Sequence, residues 1–182
     1  MSNKEVKNNK LLLDRCSLEI LLAEEVLKNN KIAYFASDNG NLNLLKKNLL
    51  TINNKLNIIE FPNFDCSFFS NLSPTSSNKS DRIKALYYLI FENYDNTIFL
   101  SSLDALTTNT LQYNFVKNFN LILNLKASSS YTEILNYIEK AGYERVDFVH
   151  NKGEFATRGE IIDIFSPIYE FPLRILFDFE KV

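Results

Sequence analysis

The sequence predicts an α/β fold: a parallel sheet with flanking helices over residues 1–127, then from residue 128 the start of a small α+β antiparallel domain. Three observations carry this. Short apolar runs alternate with stretches of helical spacing through the first part. After Ala127 the strand-like runs follow one another with no helix between them. Hydrophobic residues make up 46% of the chain and aromatic residues 13%, enough to bury a core in 182 residues.

Taken in order, Ser17 is a fitting N-cap for a helix that runs to about Asn29, with Leu18, Leu21, Leu22 and Val26 at helical spacing. Lys31 to Ser37 (KIAYFAS) reads as a buried strand. Asp38-Asn39-Gly40 turns the chain into a helix over Asn41 to Leu50, and Leu56 to Phe61 is a second strand. The stretch that follows, with Pro62 and Pro74 among Phe, Ser and Asn, is too broken for a regular element and reads as an ordered surface loop. Ser80 and Asp81 open a helix over Arg82 to Glu92, with Ile83, Leu86, Tyr87 and Ile90 on one face. Thr97 to Ser102 is a third strand and Phe119 to Leu125 a fourth. Ser128 to Ser130 marks the change of pattern. Tyr131 to Ala141 is a helix closed by Gly142. The runs YERVDFVHN, EIIDIF and LRILFDF then read as antiparallel strands. The last run reaches Val182 with no closing element, so the chain reads as truncated there.

Charge and cysteine usage narrow the function classes. A net charge of -2 speaks against non-specific nucleic-acid binding by the whole chain, which needs a basic surface to displace counterions. Cys16 and Cys66 stand far apart without metal-ligand spacing, so neither a disulfide framework nor a zinc site is expected, and a reducing cytoplasm fits. The polar start is unlike a signal peptide, and no apolar run approaches the roughly 20 residues that span a bilayer.

A parallel α/β unit raises the question of nucleotide binding. That chemistry needs a glycine-rich turn after the first strand and a lysine entering the next helix. The turn here is DNGNLNLL, with one glycine and no Gly-Lys-Ser or Gly-Lys-Thr anywhere, so neither a nucleotide nor a metal is expected in this segment. Other catalytic groupings are thin. His150 is the lone histidine and sits in a strand-like run, where a surface or core role is preferred over that of a general base. Asp104 is read as a helix N-cap, and Asp163, between Ile162 and Ile164, as solvent-facing or turn-capping.

Three stretches together resemble one family. Gly153 to Phe165 (GEFATRGEIIDIF) resembles the opening of the second domain of the UvrB-like module, shared by the excision-repair protein UvrB and the transcription-repair coupling factors. Phe61 to Leu86 resembles the coupling factors' loop-plus-helix segment, which runs from a Phe-Pro pair through Ser-Pro to Arg-x-x-x-Leu. Thr97 to Leu111 resembles the strand and helix that follow it. UvrB carries a working phosphate loop and the coupling factors a degenerate one, so the missing loop here favours the latter. The resemblance then implies a degenerate P-loop-NTPase-like first domain over 1–127 and a UvrA-interaction domain begun at 128–182. It implies an N-terminal module that recruits UvrA in transcription-coupled nucleotide excision repair. ATP- and Mg-dependent DNA translocation, and contact with stalled RNA polymerase and DNA, would belong to later domains of the full-length family. By motif position the UvrA contacts fall on Arg158 and Arg174. A family phenylalanine just past the second arginine falls at Asp178, so either Phe179 takes its place or the register has shifted. The alternative is a nucleotide-binding hydrolase domain of the UvrB type.

Overall fold

The computed structural model describes residues 15–28, 31–67, 71–91, 96–120 and 130–178. Two sheets organise them. The first has three parallel strands in the order β1-β3-β2: β1 Ile32–Ala36, β2 Asn57–Phe61 and β3 Thr97–Ser102. The second has four strands in the order β4-β5-β6-β7: β4 Glu144–Arg145, β5 Glu154–Arg158, β6 Ile161–Ile164 and β7 Leu173–Leu176.

The central strand of the first sheet is covered on both sides. On one face, α1 (Arg15–Leu27) and α2 (Asn39–Ile52) set Leu22, Val26, Leu42, Leu45 and Leu49 against Ile98 and Leu100. On the other, α3 (Ser76–Phe91) and α4 (Leu103–Thr107) bring Ala85 and Ala105 against Ile59, Phe61 and Phe99. The residue expected to be in a buried strand at Phe35 is 41% exposed, because β1 lies at the edge of the sheet and β3 takes the centre. The sequence pattern reports apolar content; it does not say which strand is central.

Several boundaries shift for tertiary reasons. Ser17 lies inside α1 and is not its cap. Ser80 is buried inside α3, which begins at Ser76. Thr75 starts this helix: its hydroxyl accepts from the Asn78 amide, and Asp65 from across the loop accepts from the Thr75 amide and hydroxyl. Ser102, and not Asp104, caps α4 by accepting from the Ala105 amide. The fourth strand expected over 119–125 falls mostly outside the described residues; Phe119 itself closes α5 (Tyr113–Asn118).

The loop after β2 is ordered by one buried cation. The Arg82 guanidinium donates to the Pro62 carbonyl at 2.7 Å, to Thr108 Oγ1 at 2.8 Å and to the Asn109 carbonyl at 3.2 Å. It also lies 4.1 Å from the ring centres of both Phe61 and Phe64. Fork hydrogen bonds and two aromatic faces offset the cost of burying the charge. Reading Arg82 as the first residue of a helix gave no hint of this.

In the second sheet, α6 (Tyr131–Lys140) starts with a capping box between Ser130 and Glu133 and ends before Gly142, whose φ of +86° suits glycine. Ile134 and Ile138 of α6 pack on Phe155 and Ile162 of the sheet. β6 and β7 are antiparallel, as expected, and β5, which lies between two of the expected runs and belongs to neither, pairs antiparallel with β6. β4 departs from that expectation and pairs parallel with β5. The intervening loop makes this possible: the Glu154 carboxylate accepts from the His150 amide, the Asn151 amide and the Asn151 side chain, folding the chain back before β5 begins. Among the described residues no helix is long and apolar enough to cross a membrane.

Candidate partner-docking site

The register of the second sheet sorts its residues by face. Phe155, Ile162 and Ile175 turn toward α6. By alternation the opposite face carries Ala156 and Arg158 on β5, Ile161 and Asp163 on β6, and Arg174 and Leu176 on β7. Asp163 stands directly between Ala156 and Arg174, and Ile161 between Arg158 and Leu176. Both arginines expected from sequence therefore share one exposed face. The two arginines do not stand on adjacent strands, because β6 runs between β5 and β7. Two strand spacings and two residues separate them, roughly 10 Å across the sheet and 7 Å along it.

The two guanidinium groups are held differently. Arg158 donates to the Asp147 carbonyl at 2.7 Å and lies 4.2 Å from the ring centre of Phe148, itself 63% exposed. The aromatic face leaves the rest of its fork to solvent. Arg174 donates from Nε to Asp163 Oδ1 at 2.6 Å and from Nη2 to Oδ2 at 2.8 Å. Asp163 is thus neither simply solvent-facing nor a turn cap. The Arg174 hydrogen bond is the main cause that holds its carboxyl below the usual carboxylate range; burial opposes this, and the charges of Arg174 and Arg158 add to it.

Sequence reasoning missed three members of this neighbourhood. Arg145, on β4, donates to Thr157 Oγ1 at 2.7 Å and lines an open cleft with Val146, Asp147, Phe148, Thr157 and Arg158. Phe148 lay inside a run read as a strand, which hid its role as the platform for Arg158. Leu176 is 71% exposed on the arginine face. Alternation could have marked it, since it follows Arg174 by two.

The aromatic expectation resolves only in part. Phe177 is half-buried against α6, with its ring 5.1 Å from that of Tyr131, on the face away from the arginines. Asp178 is exposed. Phe179 lies outside the described residues. Among the described residues no cluster of His, Cys, Asp and Glu could hold a metal ion.

Comparison with known proteins fits this geometry. The UvrB interaction domain family matches residues 121–182, which include the whole second sheet. This chain is similar to the transcription-repair coupling factors over most of its residues. It is 28% identical over 164 residues to the transcription-repair-coupling factor of Borreliella burgdorferi, covering 87% of this chain and 14% of that protein. The corresponding protein of Staphylococcus haemolyticus is 29% identical over 164 residues, 88% of this chain and 14% of its own length. That of Mycobacterium bovis is 40% identical over a shorter stretch of 57 residues, 31% of this chain and 5% of the relative. The chain therefore spans about a seventh of the length of the coupling factors it matches over most of its residues.

Proposed function

We propose that this chain is a docking module that recruits UvrA in transcription-coupled nucleotide excision repair, through the arginine face of the second sheet. The single observation that carries the reading is the presence of Arg158 and Arg174 together on one exposed face of the UvrB interaction domain. Planar guanidinium forks suit the carboxylates of an acidic partner surface. Leu176 and Phe148 supply exposed apolar contacts beside them. On this reading Phe179 adds an aromatic contact. The module works in the cytoplasm, and residues 1–127 and 128–182 are two separate units. The existence of a separate core beneath each sheet supports that division.

The first unit is read as a degenerate P-loop-NTPase-like domain that binds no nucleotide. At the point where β1 feeds α2, the Asp38 carboxylate accepts from the Asn41 amide at 2.9 Å and caps the helix. A side-chain anion thus occupies the helix N-terminus where a phosphate would need to lie. This favours the docking reading over a nucleotide hydrolase of the UvrB type. ATP-driven translocation, and contact with DNA and RNA polymerase, would belong to the rest of a full-length coupling factor.

Calorimetric titration of the chain with UvrA at moderate salt tests the proposal. Binding is expected, with a loss of at least about a hundredfold in affinity when Arg158 and Arg174 are both replaced by glutamate. Unchanged affinity in that double variant would defeat the assignment.

A further inference from the structure

Resting on the docking reading, we infer that Asp163 is a positioning residue for it: Asp163 grips one edge of the Arg174 guanidinium so that the other edge is presented to a carboxylate of the partner. The grip is side-on. Nε and Nη2 bond the two oxygens of Asp163 at 2.6 and 2.8 Å, which leaves Nη1 and the second hydrogen of Nη2 with no other partner among the described residues. Those two donors form the end-on edge, the second place where a guanidinium takes a carboxylate in its plane. The two side chains are unequally exposed. Asp163 retains 19% of its side-chain surface and Arg174 59%. The acceptor is therefore rooted in the sheet, and the donor projects from it.

The strand register makes the grip specific. Asp163 lies directly opposite Arg174 on β6, and its other neighbour in that row is the small Ala156. Among the described residues of β5 to β7, no large side chain shares the row to push the guanidinium aside. A free arginine on an edge strand samples many rotamers, and a partner must select one of them on binding. Pinned by Asp163, Arg174 meets the partner with its outward edge already fixed.

Charge alone would act in the opposite direction. Asp163 removes one positive charge from a face that attracts an acidic surface. If charge alone mattered, removing the carboxylate would tighten the complex. Arg174 is 59% exposed, and at such a solvent boundary the high effective dielectric weakens the repulsion between Asp163 and a carboxylate on the far edge of the guanidinium, whereas the loss of orientation is not weakened. Positioning therefore dominates.

Titration of the full chain against UvrA at physiological salt separates the possibilities. It compares the natural chain with Asp163→Asn, Arg174→Ala, Arg158→Ala and the double variant of Asp163→Asn with Arg174→Ala, each verified as folded by circular dichroism. Asp163→Asn is expected to bind roughly tenfold more weakly despite its added positive charge, a change of about 1.4 kcal/mol. In the Arg174→Ala background it should have no further effect, because Asp163 acts only through Arg174. If Asp163→Asn fails to fold, Asp163→Ser carries the same comparison. Binding as tight as or tighter than that of the natural chain overturns the inference. So does an equal loss in the Arg174→Ala background. If Arg174→Ala and Arg158→Ala leave the affinity unchanged, it is the docking reading itself that fails.

Discussion

Replacing Phe155 by alanine tests how the arginine face is held. Phe155 is 1% exposed and packs with Ile134, Ile138 and Ile162 between α6 and the sheet. Truncating a buried phenylalanine costs about 3–5 kcal/mol, the lost transfer energy plus the cavity left behind. A unit of about 50 residues holds only about 5 kcal/mol of total stability at the usual value per residue. The substitution should therefore unfold much of the second sheet and take Arg158, Asp163 and Arg174 out of register. It should leave the first sheet intact, because Phe155 lies outside the clusters beneath that sheet. Nitrogen-labelled amide spectra recorded through a urea titration give a midpoint for each residue. In Phe155→Ala, the midpoints of α6, β5 and β6 should fall sharply, and those of α1, β1 and β3 should hold. A loss below about 1 kcal/mol would refute the packing argument. Parallel loss in both sheets would refute the idea of two units.

Three further outcomes follow from the geometry. Arg82→Ala should cost about 3 kcal/mol in urea unfolding, because it strips the Pro62 and Asn109 carbonyls of their donor and both rings of their cation; Arg82→Lys should recover less than half, since an ammonium cannot lie flat between two rings. Titrating ATP with magnesium into the chain should give only heats of dilution, because the Asp38 carboxylate caps α2; saturable heat would revive the hydrolase reading. The Asp163 carboxyl is lowered from its ordinary value of 3.8 in the folded chain, so its stabilising contribution is complete above that value and is lost as the pH falls through the lowered one. Acid unfolding should accordingly show a stability difference between the natural chain and Asp163→Asn that shrinks on descent below about pH 4, and a constant difference would refute the pairing.

What the sequence made legible was local. The run Thr97 to Ser102 matches β3 because a central strand is buried along nearly its whole length, and its apolar middle, Ile98 to Leu100, stands out in the sequence. The helix from Tyr131 was clear because its closing glycine, Gly142, lies in the chain itself, although its cap, Ser130, reads in the sequence only as a marker of the change of pattern. Alternation along Leu173 to Leu176 is enough to set Arg174 on the face opposite Ile175, which packs toward α6. What stayed hidden depended on distant partners. The start of α3 is fixed by Asp65 from ten residues before Thr75, so a local search for a cap stopped at Ser80 instead. The parallel pairing of β4 depends on a loop folded around Glu154, and periodicity carries no information on strand direction. The bond between Asp163 and Arg174 depends on the β6–β7 register, which no single strand reveals. The arginines could be named from a motif, but their holders could only be seen folded.

Hydrogen exchange of the chain with and without saturating UvrA tests the docking account most directly. The account predicts slowed exchange along β5, β6 and β7 and in the loop carrying Asp147 and Phe148, with the amides of α1, α2 and β1 unchanged. Slowing confined to the first sheet, or no slowing anywhere at a concentration where complex is formed, would contradict it.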